Sequence, residues 1–276
     1  MKDAYARILK PLMDGDSFEK LSALDNEKLH AFVVDAAELC KPASLKVCSD
    51  DKADIAYIRQ RAVDIGEEMP LEVDGHTVHF DGYYDQARDK AATKYLVPPG
   101  MELGANLNQT EREGGLSEVR GFLAGSMAGK QAYVRFFCLG PPDSPFSIAC
   151  AQITDSAYVA HSEDLLYRTG YEQFSRLAGS GKFFRFLHSA GRLSDSNTSM
   201  DVEKRRVYID VAEDMVYSSN TQYGGNTIGL KKLALRLAIR KADAEGWLAE
   251  HMFLMGVHGP DGRKTYFAGA FPSPAR

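Results

Sequence analysis

Two apolar runs, Ala132 to Leu139 and Phe146 to Ile153, constrain this chain more than any other feature. They are separated by Gly140-Pro141-Pro142-Asp143-Ser144-Pro145, and apolar runs bounded by Gly and Pro read as strands joined at a turn. A strand pair is therefore predicted in the middle of the chain. A second pair is predicted over Arg206 to Val211 and Met215 to Ser219, turned at Ala212-Glu213-Asp214. Val207, Ile209 and Val211 alternate with polar neighbours there, which predicts a hairpin with one buried face. A third pair, Met252 to Val257 and Thr265 to Phe271, is turned by His258-Gly259-Pro260-Asp261-Gly262.

Helices are predicted around these strands. Phe18, Leu21 and Leu24, and then Leu29, Phe32, Val33, Ala36, Ala37 and Cys40, recur every three or four positions, and Pro42 ends the second stripe. Gly229 to Glu245 is predicted as a helix with Leu230, Leu233, Ala234, Leu237 and Ala238 as its apolar stripe, closed by Gly246. Ser44 to Tyr84 reads as short mixed segments between acidic turns. Lys94 to Gly115, with Pro98, Pro99, Gly100, Gly104, Gly114 and Gly115, reads as a long loop. Helices alternating with hairpins predict an α/β (α+β) fold with a mixed sheet.

Composition excludes several function classes. Thirty-three Lys and Arg against 38 Asp and Glu leave a formal charge of -5, without the basic excess that a nucleic-acid surface needs. No run approaches the roughly 20 apolar residues of a membrane span, and the opening MKDAYARILKPLM lacks the apolar core of a signal peptide. A cytoplasmic chain with no membrane or nucleic-acid partner is expected. Cys40, Cys48, Cys138 and Cys150 do not form Cys-x-x-Cys pairs and are read as reduced and structural. Neither Gly129-Lys130-Gln131 nor Gly181-Lys182-Phe183 completes a phosphate-binding loop of the Gly-x4-Gly-Lys-Ser/Thr type.

Several residues carry possible chemistry. Asn220 to Gly225, NTQYGG, precedes a predicted helix that opens with Gly229 and carries the adjacent Lys231 and Lys232. Paired glycines admit a ligand close to the backbone and a helix start attracts anions, although a tight strand-to-helix connection explains the same spacing. His251 stands between that helix and the next strand, where imidazole serves either as a metal ligand or as a satisfied structural group. His76 and His79 fall on opposite faces if their segment is a strand, which argues against a shared metal. Arg88, within Asp-Gln-Ala-Arg-Asp-Lys, is either part of a solvated charged face or a bidentate clamp for a carboxylate or phosphate.

Taken together, Phe32 to Pro42 (FVVDAAELCKP), Asp85 to Val97 (DQARDKAATKYLV), Tyr133 to Val159, Phe183 to Gly191 (FFRFLHSAG), Tyr223 to Ala238 (YGGNTIGLKKLALRLA) and Glu245 to Ser273 resemble the GTP-dependent phosphoenolpyruvate carboxykinases of the archaeal-type branch. The resemblance implies that Arg88 holds the carboxylate of oxaloacetate or phosphoenolpyruvate. It implies that Tyr223, Gly224 and Gly225 form a substrate-contacting loop, and that Ser273 touches substrate just before a phosphate loop. Lys232 and His251 are implied as two of three ligands of one manganese ion. Lys231 then touches substrate, or the two lysines exchange roles. GTP is implied as co-substrate.

Where the family continues beyond Phe-Pro-Ser into a Gly-Lys-Thr loop, a third metal ligand and a guanine pocket, this sequence has Pro274-Ala275-Arg276. Residues 1–247 are accordingly expected to form an amino-terminal substrate-binding domain, and 248–276 the first strands of a truncated catalytic domain. The expected function is the amino-terminal part of the carboxykinase, inactive by itself. The alternative is a non-catalytic dicarboxylate-binding or interaction module that pairs with a separate carboxy-terminal half.

Overall fold

The computed structural model describes residues 1–83, 91–222, 236–249 and 252–270. By its internal contacts the chain divides into two units, Met1–Leu230 and Lys231–Arg276.

The larger unit is built on a mixed sheet of nine strands among the described residues. In chain order its strands are β1 (Ser44–Val47), β4 (Thr93–Val97), β5 (Gln109–Glu111), β6 (Gln131–Leu139), β7 (Ile148–Thr154), β8 (Arg168–Thr169), β9 (Phe184–Ser189), β10 (Arg206–Asp210) and β11 (Met215–Ser219). A separate small ribbon pairs β2 (Met69–Pro70) with β3 (Thr77–Val78). Across the large sheet the order is β1-β6-β7-β9-β11-β10-β4-β5, with β8 beside β6. The predicted pair β6–β7 is antiparallel, with Arg135 opposite Gln152, and so is β10–β11, with Tyr208 opposite Tyr217. The bonds from β7 to β9, β9 to β11 and β10 to β4 are parallel. Mixed strands and flanking helices confirm the α/β (α+β) class.

Both faces of the sheet are covered, because successive side chains on a strand point to opposite sides. Val134, Phe136, Ala151 and Leu187 join the main core with α3 (Glu27–Cys40) and α5 (Arg112–Leu123). Tyr133, one position before Val134, packs on the other face with Ile58 of α4 (Lys52–Asp64) and Ala157 and Ala160 of α6 (Ala157–Leu166). Helix α3 follows the predicted periodicity. Asn26 accepts the Leu29 N–H at its start, Lys41 (φ 55°) turns the chain left-handed at its end, and Pro42 follows. All four cysteines are buried and unpaired, and burial pushes the Cys40 thiol up to about 12.

The structure corrects three sequence expectations. The segment from Ser44 to Tyr84 contains the thirteen-residue helix α4, whose buried positions are Asp54, Ile58 and Ala62. An aspartate in the stripe hides the period, and it is buried because Lys20 and the Ser49 backbone N–H and hydroxyl donate to it. The predicted loop from Lys94 to Gly115 instead holds β4, β5 and the first turn of α5. Gly115 sits inside that helix where a Cβ would overlap the Leu96 side chain, so a residue that breaks helical patterns is required for close packing. Finally, the β10–β11 hairpin is buried on both faces. Its polar positions meet α5: Arg112 donates Nε and Nη2 to Asp210 at 3.0 and 2.8 Å, and the Tyr208 hydroxyl donates to Glu118.

The smaller unit contains the helix Ala238–Ala244, part of the predicted Gly229–Glu245 helix, followed by Gly246 at φ 72°. It also contains the predicted antiparallel pair β12 (Met252–His258) and β13 (Lys264–Ala270). Met255, Val257, Tyr266 and Phe267 of that pair are exposed.

Candidate functional site at one edge of the sheet

All the sequence-predicted site residues, Arg88, Tyr223, Gly224, Gly225, Lys231, Lys232, His251 and Ser273, lie outside the described residues. Several of them adjoin strands that the structure describes. Strand β4, five positions after Arg88 in the sequence, pairs its first residue Thr93 with Val207, while Arg206 at the start of β10 lies opposite Ser219 at the end of β11. The start of β4 and the end of β11, which leads into Tyr223, thus share one sheet edge with a single strand between them. At normal strand spacing that is roughly 10 Å. The same register brings the ends of β7 and β9 and the start of β6 to this edge, through Thr154 opposite both Tyr133 and His188.

A buried polar network fills the edge. Asp155, directly after β7, accepts Lys130 Nζ and the Ser189 hydroxyl at 2.8 Å each on Oδ2, and the Ala190 N–H at 2.8 Å on Oδ1. Lys130 also donates to the Gly191 carbonyl at 2.6 Å, tying the turns after β7 and β9 together. Gly191 adopts φ 70°, and a Cβ there would overlap the Asn220 side chain. Glycine is favoured at this point for both reasons.

His188 continues the network to Thr221. Its Nε2 lies 2.8 Å from the Thr221 carbonyl, an acceptor, so Nε2 carries the hydrogen. Nδ1 then accepts from the Thr154 hydroxyl at 2.7 Å, and that hydroxyl in turn accepts the Ser156 N–H at 3.1 Å. Burial lowers the imidazole pKa, which keeps the ring neutral and suited to this one-donor, one-acceptor role.

Beside it, Ser156 caps α6 by accepting the Val159 N–H and donates to Glu67 Oε2 at 2.9 Å. The same Glu67 oxygen accepts the Tyr158 N–H at 2.7 Å. Burial pushes the Glu67 carboxyl up to about 7, against these hydrogen bonds and with the Asp155 charge adding to the rise. Its neighbour Glu68 behaves oppositely. Burial acts to raise it, but hydrogen bonds from His161 and Thr77 hold it below the usual carboxylate range. His79 donates Nδ1–H to the Glu67 carbonyl at 2.6 Å and stacks on Tyr158, whereas His76 is exposed.

Glu67, Lys130, Asp155 and His188 were not singled out as site residues from sequence. The available signal was Thr154-Asp155-Ser156 and His188-Ser189, polar residues placed directly at the end of apolar strands. Among the described residues, no group of three or more His, Cys, Asp or Glu could hold a metal ion. No described helix is long and apolar enough to cross a membrane.

Comparison with known proteins settles the family. The model for the phosphoenolpyruvate carboxykinase N-terminal domain matches residues 31–243. This chain belongs to the phosphoenolpyruvate carboxykinase family. The model for the phosphoenolpyruvate carboxykinase C-terminal P-loop domain matches residues 247–275. Among its relatives, the phosphoenolpyruvate carboxykinase (GTP) of Thermococcus sibiricus is 56% identical over 265 residues, covering 96% of this chain and 42% of the relative. That of Pyrococcus furiosus is 54% identical over 273 residues, covering 99% and 44%, and that of Chlamydia caviae 33% identical over 261 residues, covering 91% and 44%. The chain thus spans about two fifths of the length of these relatives, and the resemblance to the archaeal proteins read from its motifs is borne out.

Proposed function

We propose that this chain is the substrate-binding part of a cytoplasmic GTP-dependent phosphoenolpyruvate carboxykinase, which converts oxaloacetate and GTP to phosphoenolpyruvate, GDP and carbon dioxide in gluconeogenesis. The observation that carries the reading is 54–56% identity, across nearly the whole chain, to archaeal relatives that bear this name. We assign residues 1–247 to the substrate-binding domain and 248–276 to the start of the nucleotide-binding domain.

In this reading Arg88 clamps the substrate carboxylate through a planar guanidinium fork, the geometry for which arginine is suited. Tyr223 and the Gly224-Gly225 backbone bound the substrate, since residues without a side chain let the main chain come close to it. Ser273 adds a hydroxyl contact. When carbon dioxide leaves, the electron pair of the broken carbon–carbon bond becomes an enolate, whose oxygen then takes the γ-phosphoryl group of GTP. A lysine ammonium, from Lys231, stabilises the oxygen on which this charge gathers. The nitrogen donors of Lys232 and His251, completed by oxygen ligands, suit manganese. Lysine binds such an ion only as the neutral amine. A manganese ion held there supplies positive charge for the enolate and the transferred phosphoryl group.

The test is titration of the purified chain with manganese and then with oxalate, an enolate mimic, followed by calorimetry. The proposal expects saturable oxalate uptake that requires manganese and disappears with Arg88→Ala. Absence of uptake by the unaltered, folded chain would overturn the claim that it carries a working substrate site.

A further inference from the structure

We infer that the β2–β3 ribbon is a pH-sensitive flap, fastened to the start of helix α6 by the buried Glu67 side chain and released when that carboxyl ionises. It would act in this way whatever substrate the chain binds.

The ribbon has little of its own to hold it. Strands β2 and β3 pair Met69 with Val78 and Pro70 with Thr77, and a two-stranded ribbon of that size is not stable alone in water. No residue from 69 to 83 is fully buried, and Met69, Leu71, Val73 and Phe80 stand exposed, so the ribbon is not anchored by an apolar core. Its fastening is polar. Glu67 and Glu68, immediately before β2, are each 5% exposed. Glu67 Oε2 accepts the Ser156 hydroxyl and the Tyr158 N–H at the start of α6, and Glu68 bonds His161 one turn further along at 2.8 Å. After β3, His79 stacks on Tyr158 and bonds the Glu67 carbonyl, which closes the contacts around Glu67. The chain enters this arrangement through Gly66 at φ 75°, a residue able to absorb a change of direction.

The fastening depends on a proton. Burial and the Asp155 charge oppose ionisation of Glu67, while its two hydrogen-bond donors on α6 and the Lys130 charge favour it; burial prevails and pushes the carboxyl up to about 7. Lys130 does not offset both acids, because its ammonium is bonded to Asp155 and the Gly191 carbonyl. On α4 and β6, Arg61 and Tyr133 bond each other. Glu68, although buried, is held below the usual carboxylate range by His161 and Thr77 and stays ionised. His79 and His161 are of the type that changes charge near neutral pH, so they must be separated from Glu67 by experiment. Release of the ribbon turns Glu67 out to water, where it ionises as an ordinary glutamate. The closed ribbon therefore binds the proton more tightly than the open one. Closure is firmest below pH 4.5, weakens as the pH rises to about 7, and changes little above that.

Amide hydrogen exchange of the full chain from pH 5 to pH 8, each rate taken relative to its intrinsic value at that pH, reads the opening directly. The reporters are the N–H groups of Glu68, Leu71 and Tyr158, bonded to the Ala62 carbonyl, the His76 carbonyl and Glu67 Oε2. We expect them to be less protected than the β6–β7 ladder at every pH, as a locally opening unit is, and their protection to fall about fiftyfold over the interval. Two substitutions assign the proton. Glu67→Gln keeps an acceptor for Ser156 and Tyr158 without a charge to gain, and should reduce the fall to less than about threefold. His161→Asn keeps a donor at the reach of Nδ1 for Glu68 but does not titrate, and should leave the fall as it is in the parent. Protection equal to that of the β6–β7 ladder would mean that the ribbon opens only with the whole unit, and overturns the inference in the parent chain alone. A fall that persists in Glu67→Gln, or that disappears in His161→Asn, overturns it as well.

Discussion

Glu67→Gln should change how stability depends on pH. The Glu67 carboxyl is buried beside Asp155 and has a pKa of about 7 in the folded chain, against 4.5 ordinarily. Because the folded value is the higher one, the native state holds the proton more tightly than the unfolded chain does. The contribution of this group to stability is therefore greatest below pH 4.5 and falls as the pH rises to about 7, where the folded carboxyl must ionise in a dry site. At about 1.36 kcal/mol for each tenfold change in proton affinity, the full loss is about 3 kcal/mol, most of it between pH 5 and pH 8. Glutamine stays neutral throughout, and its amide oxygen can accept from Ser156 and Tyr158 as the carboxyl does. Relative to the parent, the variant should gain about 2 to 3 kcal/mol between pH 5 and pH 8. Urea unfolding at the two pH values measures this. Circular dichroism is the suitable signal, since the single tryptophan, Trp247, belongs to the smaller unit. A stability difference between variant and parent that stays the same within about 0.5 kcal/mol at both pH values would refute the reasoning, because it would mean that the folded and unfolded carboxyls bind protons alike.

Two further outcomes follow from the geometry. Gly191→Ala places a Cβ against the Asn220 side chain at a backbone angle disfavoured for alanine. It should cost at least about 2 kcal/mol by urea unfolding, and a loss below 0.5 kcal/mol would show that the turn after β9 yields easily. The exposed Met255, Val257, Tyr266 and Phe267 should make the isolated chain self-associate as its concentration rises. A single sharp monomer peak at high concentration in size-exclusion chromatography would count against that.

What was legible in the sequence divides along a physical line. Strands β6, β7, β10 and β11 and helix α3 announce themselves because their apolar residues stand at regular spacing and their ends carry Gly, Pro or Asn. Helix α4 does not, because one of its three buried positions is Asp54, made tolerable by Lys20 from another helix. The start of α5 was obscured by two glycines, Gly114 and Gly115, of which Gly115 packs against Leu96. The edge network was harder still to read. Glu67 meets Ser156 across 89 positions and His188 meets the Thr221 carbonyl across 33. Each group looks unremarkable in its own neighbourhood and gains meaning only from a distant partner. Local pattern left Arg88, the Gly224-Gly225 pair, the adjacent Lys231 and Lys232, and His251 open between structural and chemical roles, and motif resemblance supplied the roles.

The place of β4 in the sheet also bears on how the chain is made. Its register partner on β10 is more than a hundred positions further along, Thr93 with Val207, and its other neighbour is the three-residue β5. At ribosomal speeds of about 5–20 residues per second, roughly 6 to 23 s pass between the emergence of β4 and that of its partner. During that interval β6 and β7 can pair, while β4 waits with a free edge and with Leu96 and Val97 uncovered, the condition in which strands pair with the wrong chain. Slowing the docking of β10 would then lower the yield of folded protein even where the finished molecule lost little stability. The last hairpin of the larger unit, at the centre of its sheet, acts as the closing step of assembly.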